Sequence, residues 1–214
     1  MGTMKLIRDA LVILGEHRRP YIIINLVYYG LVIAGMVYVT FNPSLQQRLL
    51  DAAGQTFTAG GPLVFVGEAY LGGKVLLSVG LTFAVNLLVG CLASITLPSL
   101  LIPFSGLLLG VYRAVLWGLL LSPADPAVAR AMIPHSLTLL LEGQAYVVAM
   151  LAAYLHGRAF LWPCSVEAGK LRQGYWIGVK RTASLYLLIV ILLAAAAIYE
   201  VLEVILLVPR LVGG

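Results

Sequence analysis

Charge is what this chain has least of. Only 11% of its 214 residues are Asp, Glu, Lys or Arg, and 61% are hydrophobic. A soluble domain carries about 25% charge, so there is too little here to coat a globule in water. Cysteine is scarce as well: Cys91 falls in an apolar run and Cys164 in a basic stretch, and nothing argues for a disulfide framework. The alternating ten-residue segments of a membrane barrel are missing. So are HExxH, GxSxG, a P-loop and any clustered Cys/His metal spacing. No aromatic-basic pattern points to nucleic acid. The first twenty residues hold no signal-peptide cleavage site, and acidic residues interrupt their apolar run. The sequence therefore predicts no enzyme, no cofactor, no metal and no nucleic-acid partner.

What the chain does have is long apolar runs, several beyond the 18 or so residues that mark a membrane span. In lipid only helices and closed barrels satisfy their own backbone groups. The expected fold is all-α: a polytopic transmembrane helix bundle of about five spans, at 21–41, 75–97, 98–121, 132–157 and 184–207. These form one transmembrane domain over 21–208. Residues 1–20 read as an amphipathic surface helix, with Leu6, Ile7, Ala10, Leu11 and Leu14 on one side and Lys5, Arg8, Glu16, Arg18 and Arg19 towards the other, turning at Pro20 into the first span. An outer loop, 42–74, holds a small helix over Ser44–Ala53 capped by Ser44, and an apolar stretch, Pro62–Tyr70, too short to cross a bilayer. Residues 158–183 form a basic inner loop. If 98–121 re-enters without crossing, the spans number four.

With the N-terminus inside, the inner segments hold nine Lys and Arg residues and the outer ones four. The positive-inside rule then puts the N-terminus in the cytoplasm and the C-terminus outside, in the cell inner (cytoplasmic) membrane. The net charge of +5 reads as orientation and contact with membrane lipids.

One stretch organises the rest: MIPHSLTLLLEGQAYVVAMLAAYLHGR, Met132 to Arg158. His135, Glu142, Ala149 and His156 recur every seven residues, so on a helix they share one narrow face. Beside them, Ala145, Ala149 and Ala153 make a small-residue row that lets another backbone approach. Ionisable groups inside a bilayer face protein or water, which places this helix centrally. Asn86, Gly90 and Ala93 mark one face of the second span, and Gly106, Gly110 and Ala114 one face of the third. Counting inward at about 1.5 Å per residue, Asn86, Arg113, His135, Glu142 and Glu200 fall in one half of the bilayer. Arg113, the one basic residue deep in a span, calls for Glu142 or Glu200 as its partner. His156 reads as an interfacial or packing residue.

These residues resemble the stage II sporulation protein M family of multi-pass membrane proteins. The Asn of that family's second span is matched by Asn86 in FAVN, its glycine-rich next span by SGLLLG, and its Pro-His-Gly, Glu and Ala pattern by Pro134, His135, Ser136, Glu142 and Ala145. A late Glu in the last span is matched by Glu200. Ser136 replaces the Gly, and Glu142 follows His135 by seven residues where four is usual. The resemblance implies a non-enzymatic membrane scaffold that positions partner proteins, as a homo-oligomer or within a membrane-protein complex. The residues themselves leave a second expectation open: a transporter or lipid-handling subunit with a polar pocket in the outer half of the bilayer. A closed Arg–Glu pair would suit the scaffold; a cavity around Glu142 would suit the transporter.

Overall fold

The computed structural model describes residues 2–212. Among them no strand occurs, and the chain is a helix bundle. Four helices are long and apolar enough to cross a membrane, and this is an integral membrane protein.

Helix α1 (Gly2–Glu16) lies against the last helix: Ala10 is fully buried and Ile13 and Leu14 join the core, while Leu6 and Leu11 stay exposed. His17 interrupts, and α2 (Arg18–Thr40) follows. The expected turn at Pro20 does not form, because a proline in the first turn of a helix lacks only an N–H that has no partner there anyway. Helix α3 (Pro43–Phe57) starts with Asn42 at the cap position and Pro43 in the first turn, and runs through Gly54. It is thus longer than the expected Ser44–Ala53, and Ser44 is not its cap. Helix α4 (Val64–Leu71) completes a helical pair where the sequence suggested a loop.

Helix α5 (Val75–Leu101) changes character midway. It is α-helical over Val75–Ala84, π-helical over Val85–Thr96 and α-helical again over Leu97–Leu101. Pro98 therefore does not end the second span at 97. It sits at the start of the closing α turn, where its missing N–H costs least. The break comes at Pro103: Ile102 before it is extended (φ −121°, ψ 103°), as the residue preceding a proline prefers. Helix α6 (Ser105–Leu120) has 16 residues, about 24 Å, short of a full hydrocarbon thickness of about 30 Å.

Helix α7 (Pro126–Leu161) starts six residues before the expected Met132. Asp125 accepts hydrogen bonds from the Ala127 and Val128 amides at 2.8 and 3.0 Å, with Pro126 in the first turn, a strong N-terminal combination. Helix α8 (Leu171–Leu202) continues through a π turn, Glu203–Leu207, into a last turn, Val208–Val212. The basic loop expected over 158–183 is therefore mostly helix. Only the 162–170 connection, with one 3₁₀ turn at Pro163–Val166, lies outside α7 and α8. Gly174 and Gly178 explain the extension, because they press α8 against Ala159 and His156 well past the apolar run.

Helices α2, α6 and α8 run in one direction, and α5 and α7 in the other. Ile24 and Leu107 line one groove while Val32 meets Gly118, so α2 and α6 are parallel. Phe104 meets Gly157 and Met150 meets Gly110, so α6 and α7 are antiparallel. The heptad face of α7 turns towards α8, with which it shares its longest interface, and Glu142, Ala149 and His156 on it are buried. Ala145, Ala149 and Ala153 are all buried in the core. Helices α3 and α4 close one end of the bundle; the α1–α2 junction and the 3₁₀ turn lie at the other.

Gly106, Gly110, Ala114 and Gly118 form one buried row on α6, the last being a member the sequence reading left out. The atoms nearest a methyl group on Gly110 would be those of the Met150 side chain, which is flexible. Gly110→Ala is expected to lower stability by about 1 kcal/mol, the low end for overpacking, read as a small fall in the thermal midpoint in detergent.

Candidate functional site

The polar residues of the bundle gather around a cavity between α4, α5, α6, α7 and α8. The π segment of α5 contributes Val85 and Asn86 to its wall. π geometry is rare and collects at functional sites. Here its wider turn buries Gly90, Cys91, Ile95 and Thr96 and turns Asn86 towards α7. The same change overturns the expected Asn86–Gly90–Ala93 face: Ala93 is exposed, and Ile95 takes the buried position.

Asn86 Nδ2 donates to the Glu142 carboxylate, and its Oδ1 accepts from the Tyr146 hydroxyl at 3.2 Å. Arg113 Nη2 donates to the same hydroxyl at 2.6 Å. The guanidinium lies 4.0 Å from the Tyr146 ring centroid and 5.6 Å from that of Trp117, within cation–π range. Gly90 makes this arrangement possible. A Cβ there would stand 3.1 Å from the Tyr146 hydroxyl and 3.3 Å from Arg113 Nη2, so Gly90 belongs to the site as well as to the packing.

The expected ion pair from Arg113 to Glu142 or Glu200 is not formed. Among the described residues, the side-chain ion pair within 4.0 Å is His135 with Glu203. Tyr146 intercepts the guanidinium with both its hydroxyl and its ring, and Asn86 engages Glu142. Arg113 Nε is buried with no hydrogen-bond partner. Glu200 and Glu142 line the same cavity. Two such groups repel unless a proton or a cation lies between them.

Arg113, Glu142, Glu200 and Asn86 line a single cavity of about 570 Å³. Its other walls are mainly apolar: Phe57 and Thr58 from the end of α3, Val66, Tyr70 and Leu71 from α4, and Thr82, Val85, Trp117 and Val204 from the bundle. The cover is anchored twice. Gln46 on α3 is buried and donates to the Leu120 and Ser122 carbonyls at 3.1 and 2.7 Å, satisfying the end of α6. Tyr70 on α4 shares a 2.8 Å hydrogen bond with Thr82 on α5.

His135 stands apart from this group. Its Nδ1 engages the Glu203 carboxylate, whose second oxygen accepts from Thr138 at 3.2 Å. Glu203 is fully buried and opens the π turn of α8, and sequence reasoning gave it no partner. Spacing alone could not choose between Glu200 and Glu203. His156 packs at the far end, 4.8 Å from the Tyr175 ring centroid, and is fully buried.

A further network was missed altogether. Gln144 accepts from the Tyr21 hydroxyl at 2.6 Å and donates to Asn25 Oδ1 at 2.7 Å and to the Tyr29 hydroxyl at 3.1 Å, tying α2 to α7. The available signal was a glutamine beside Glu142 in the central span together with Tyr21, Asn25 and Tyr29 at helical spacing.

The fold and site define an integral membrane helix bundle with a mostly apolar cavity floored by one cation and two carboxyl groups. Comparison with family models, with curated proteins and with solved structures returns no match.

Proposed function

We propose that this protein is a transporter or lipid-handling membrane subunit that takes an amphiphilic molecule into the cavity, headgroup first. The observation that carries the reading is that Arg113, Glu142 and Glu200 line one cavity of about 570 Å³ without an ion pair from Arg113 to either carboxylate. The size is that of a small-molecule site, and apolar walls with a few convergent polar groups are the usual composition of one. Arg113 would face an anionic group of the ligand, and Glu142 with Glu200 a cationic one or a proton. By the excess of basic residues at the α1 end, the cavity would lie in the outer half of a cytoplasmic membrane, the N-terminus being inside.

The scaffold reading, which the resemblance to the stage II sporulation protein M family suggests, makes the same cluster a structural knot holding a partner-binding bundle together. Native mass spectrometry after gentle purification separates the two. An amphiphile bound to the wild-type protein and lost from a folded Glu142→Gln variant is the expected result. A stoichiometric protein partner retained by both, with no amphiphile, would favour the scaffold.

A further inference from the structure

At the end of the bundle away from the cavity, three basic side chains converge. His17 sits at the α1–α2 junction, Arg158 in the last turn of α7 and Arg181 on α8. Together with Ser165 of the 3₁₀ turn they line a pocket of about 40 Å³. His17 Nε2 is buried there with no hydrogen-bond partner. Among the described residues no carboxylate lies within 4.0 Å of either arginine. Burial first, and Arg181 next, hold the His17 imidazole below its ordinary pKa; Glu16 opposes this and Arg158 adds to it. The pocket therefore holds two arginines with no ion-pair partner among the described residues, Glu16 being an acidic group near it. Such a cluster costs energy unless an anion occupies it.

We propose that His17, Arg158, Arg181 and Ser165 form a binding site for a phosphoryl group. The volume has room for about three water-sized groups, the size of the outer oxygens of a phosphate. Arg guanidinium groups match those oxygens with paired N–H donors, and the imidazole N–H and the Ser165 hydroxyl supply two more. The phosphoryl group can come from a phospholipid headgroup or from a soluble phosphate. Trp162 and Trp176 are more than half exposed at this end, as aromatic residues are in a headgroup layer.

The test uses the full-length protein in an uncharged detergent, with thermal unfolding followed against added ligand. Sodium phosphate is compared with sodium chloride at equal ionic strength. In a second arm, short-chain phosphatidylglycerol is compared with a short-chain diglyceride. At least one phosphoryl probe should raise the wild-type midpoint. Arg181→Gln should weaken that response about tenfold, the loss of one charge-assisted contact. Lys180→Gln, its neighbour outside the pocket, should leave it unchanged. A response to phosphate alone identifies the soluble source, and a response to the lipid alone the headgroup. No response from either probe, or equal weakening by Arg181→Gln and Lys180→Gln, overturns the site. If Arg181→Gln does not fold, Arg158→Gln and His17→Gln are read by the same titrations. Phosphatidylglycerol can also enter the Arg113 cavity, so its effect counts for this site only to the extent that Arg181→Gln weakens it; read that way, either proposal can fail alone.

Discussion

Gly118→Leu is expected to leave almost no folded protein in the membrane. Gly118 lies at a close approach of α2 and α6. A Cβ on it would collide with the Val32 carbonyl oxygen, and one on Gly35 would stand 3.1 Å from the Gly118 Cα. Backbone meets backbone there, so no side chain can move aside. The parallel α2–α6 pairing also sets how α6 presents Arg113 to α7. Overpacking a tolerant core costs about 1–3 kcal/mol; against rigid backbone the cost should exceed that range and take most of a marginal stability. Size-exclusion chromatography in detergent should show aggregate in place of the wild-type peak. The contrast with the mild Gly110→Ala separates a glycine facing backbone from one facing a flexible methionine.

Arg113→Leu is the second large effect. It removes a charge-assisted hydrogen bond to Tyr146 and a cation stacked on that ring. It also leaves Glu142 and Glu200 in one cavity without the nearby positive charge. The expected loss is about 2–3 kcal/mol. Because part of it arises from the carboxyl groups left behind, Glu142→Gln or Glu200→Gln in the same chain should recover some of it. Unfolding in a double-mutant cycle measures the coupling, and strictly additive losses would contradict it.

The architecture was legible because its signals are one-dimensional. Apolar length gave the long spans, and the seven-residue recurrence of His135, Glu142, Ala149 and His156 gave the face of α7 that turns towards α8. The partners were less legible, for a physical reason. Depth counting put Arg113, Glu142 and Glu200 at one level, and they do line one cavity. It could not see that Tyr146, one turn from Glu142, would take the arginine first. It also could not see the π segment, because i→i+5 bonding is a choice of the packed bundle and not of local propensity. That change moved Ala93 to the surface and brought Ile95 in. Helix α3 is legible as a short helix and α4 only as an apolar stretch, because neither can cross a bilayer; their part in covering the cavity depends on Gln46 and Tyr70 finding partners in other helices and connections.

The central claim is that the space beside Glu142 is an accessible cavity and not a closed polar knot. The most direct measurement is thiol accessibility in membranes. In a Cys164→Ser background, Val85→Cys places a thiol on the cavity wall, and Ile189→Cys places one in the dry core. A small water-soluble methanethiosulfonate should modify the first and spare the second, and an amphiphile recovered with the protein should protect the first. Equal inertness at both positions would mean that the cluster is closed, and would contradict the account.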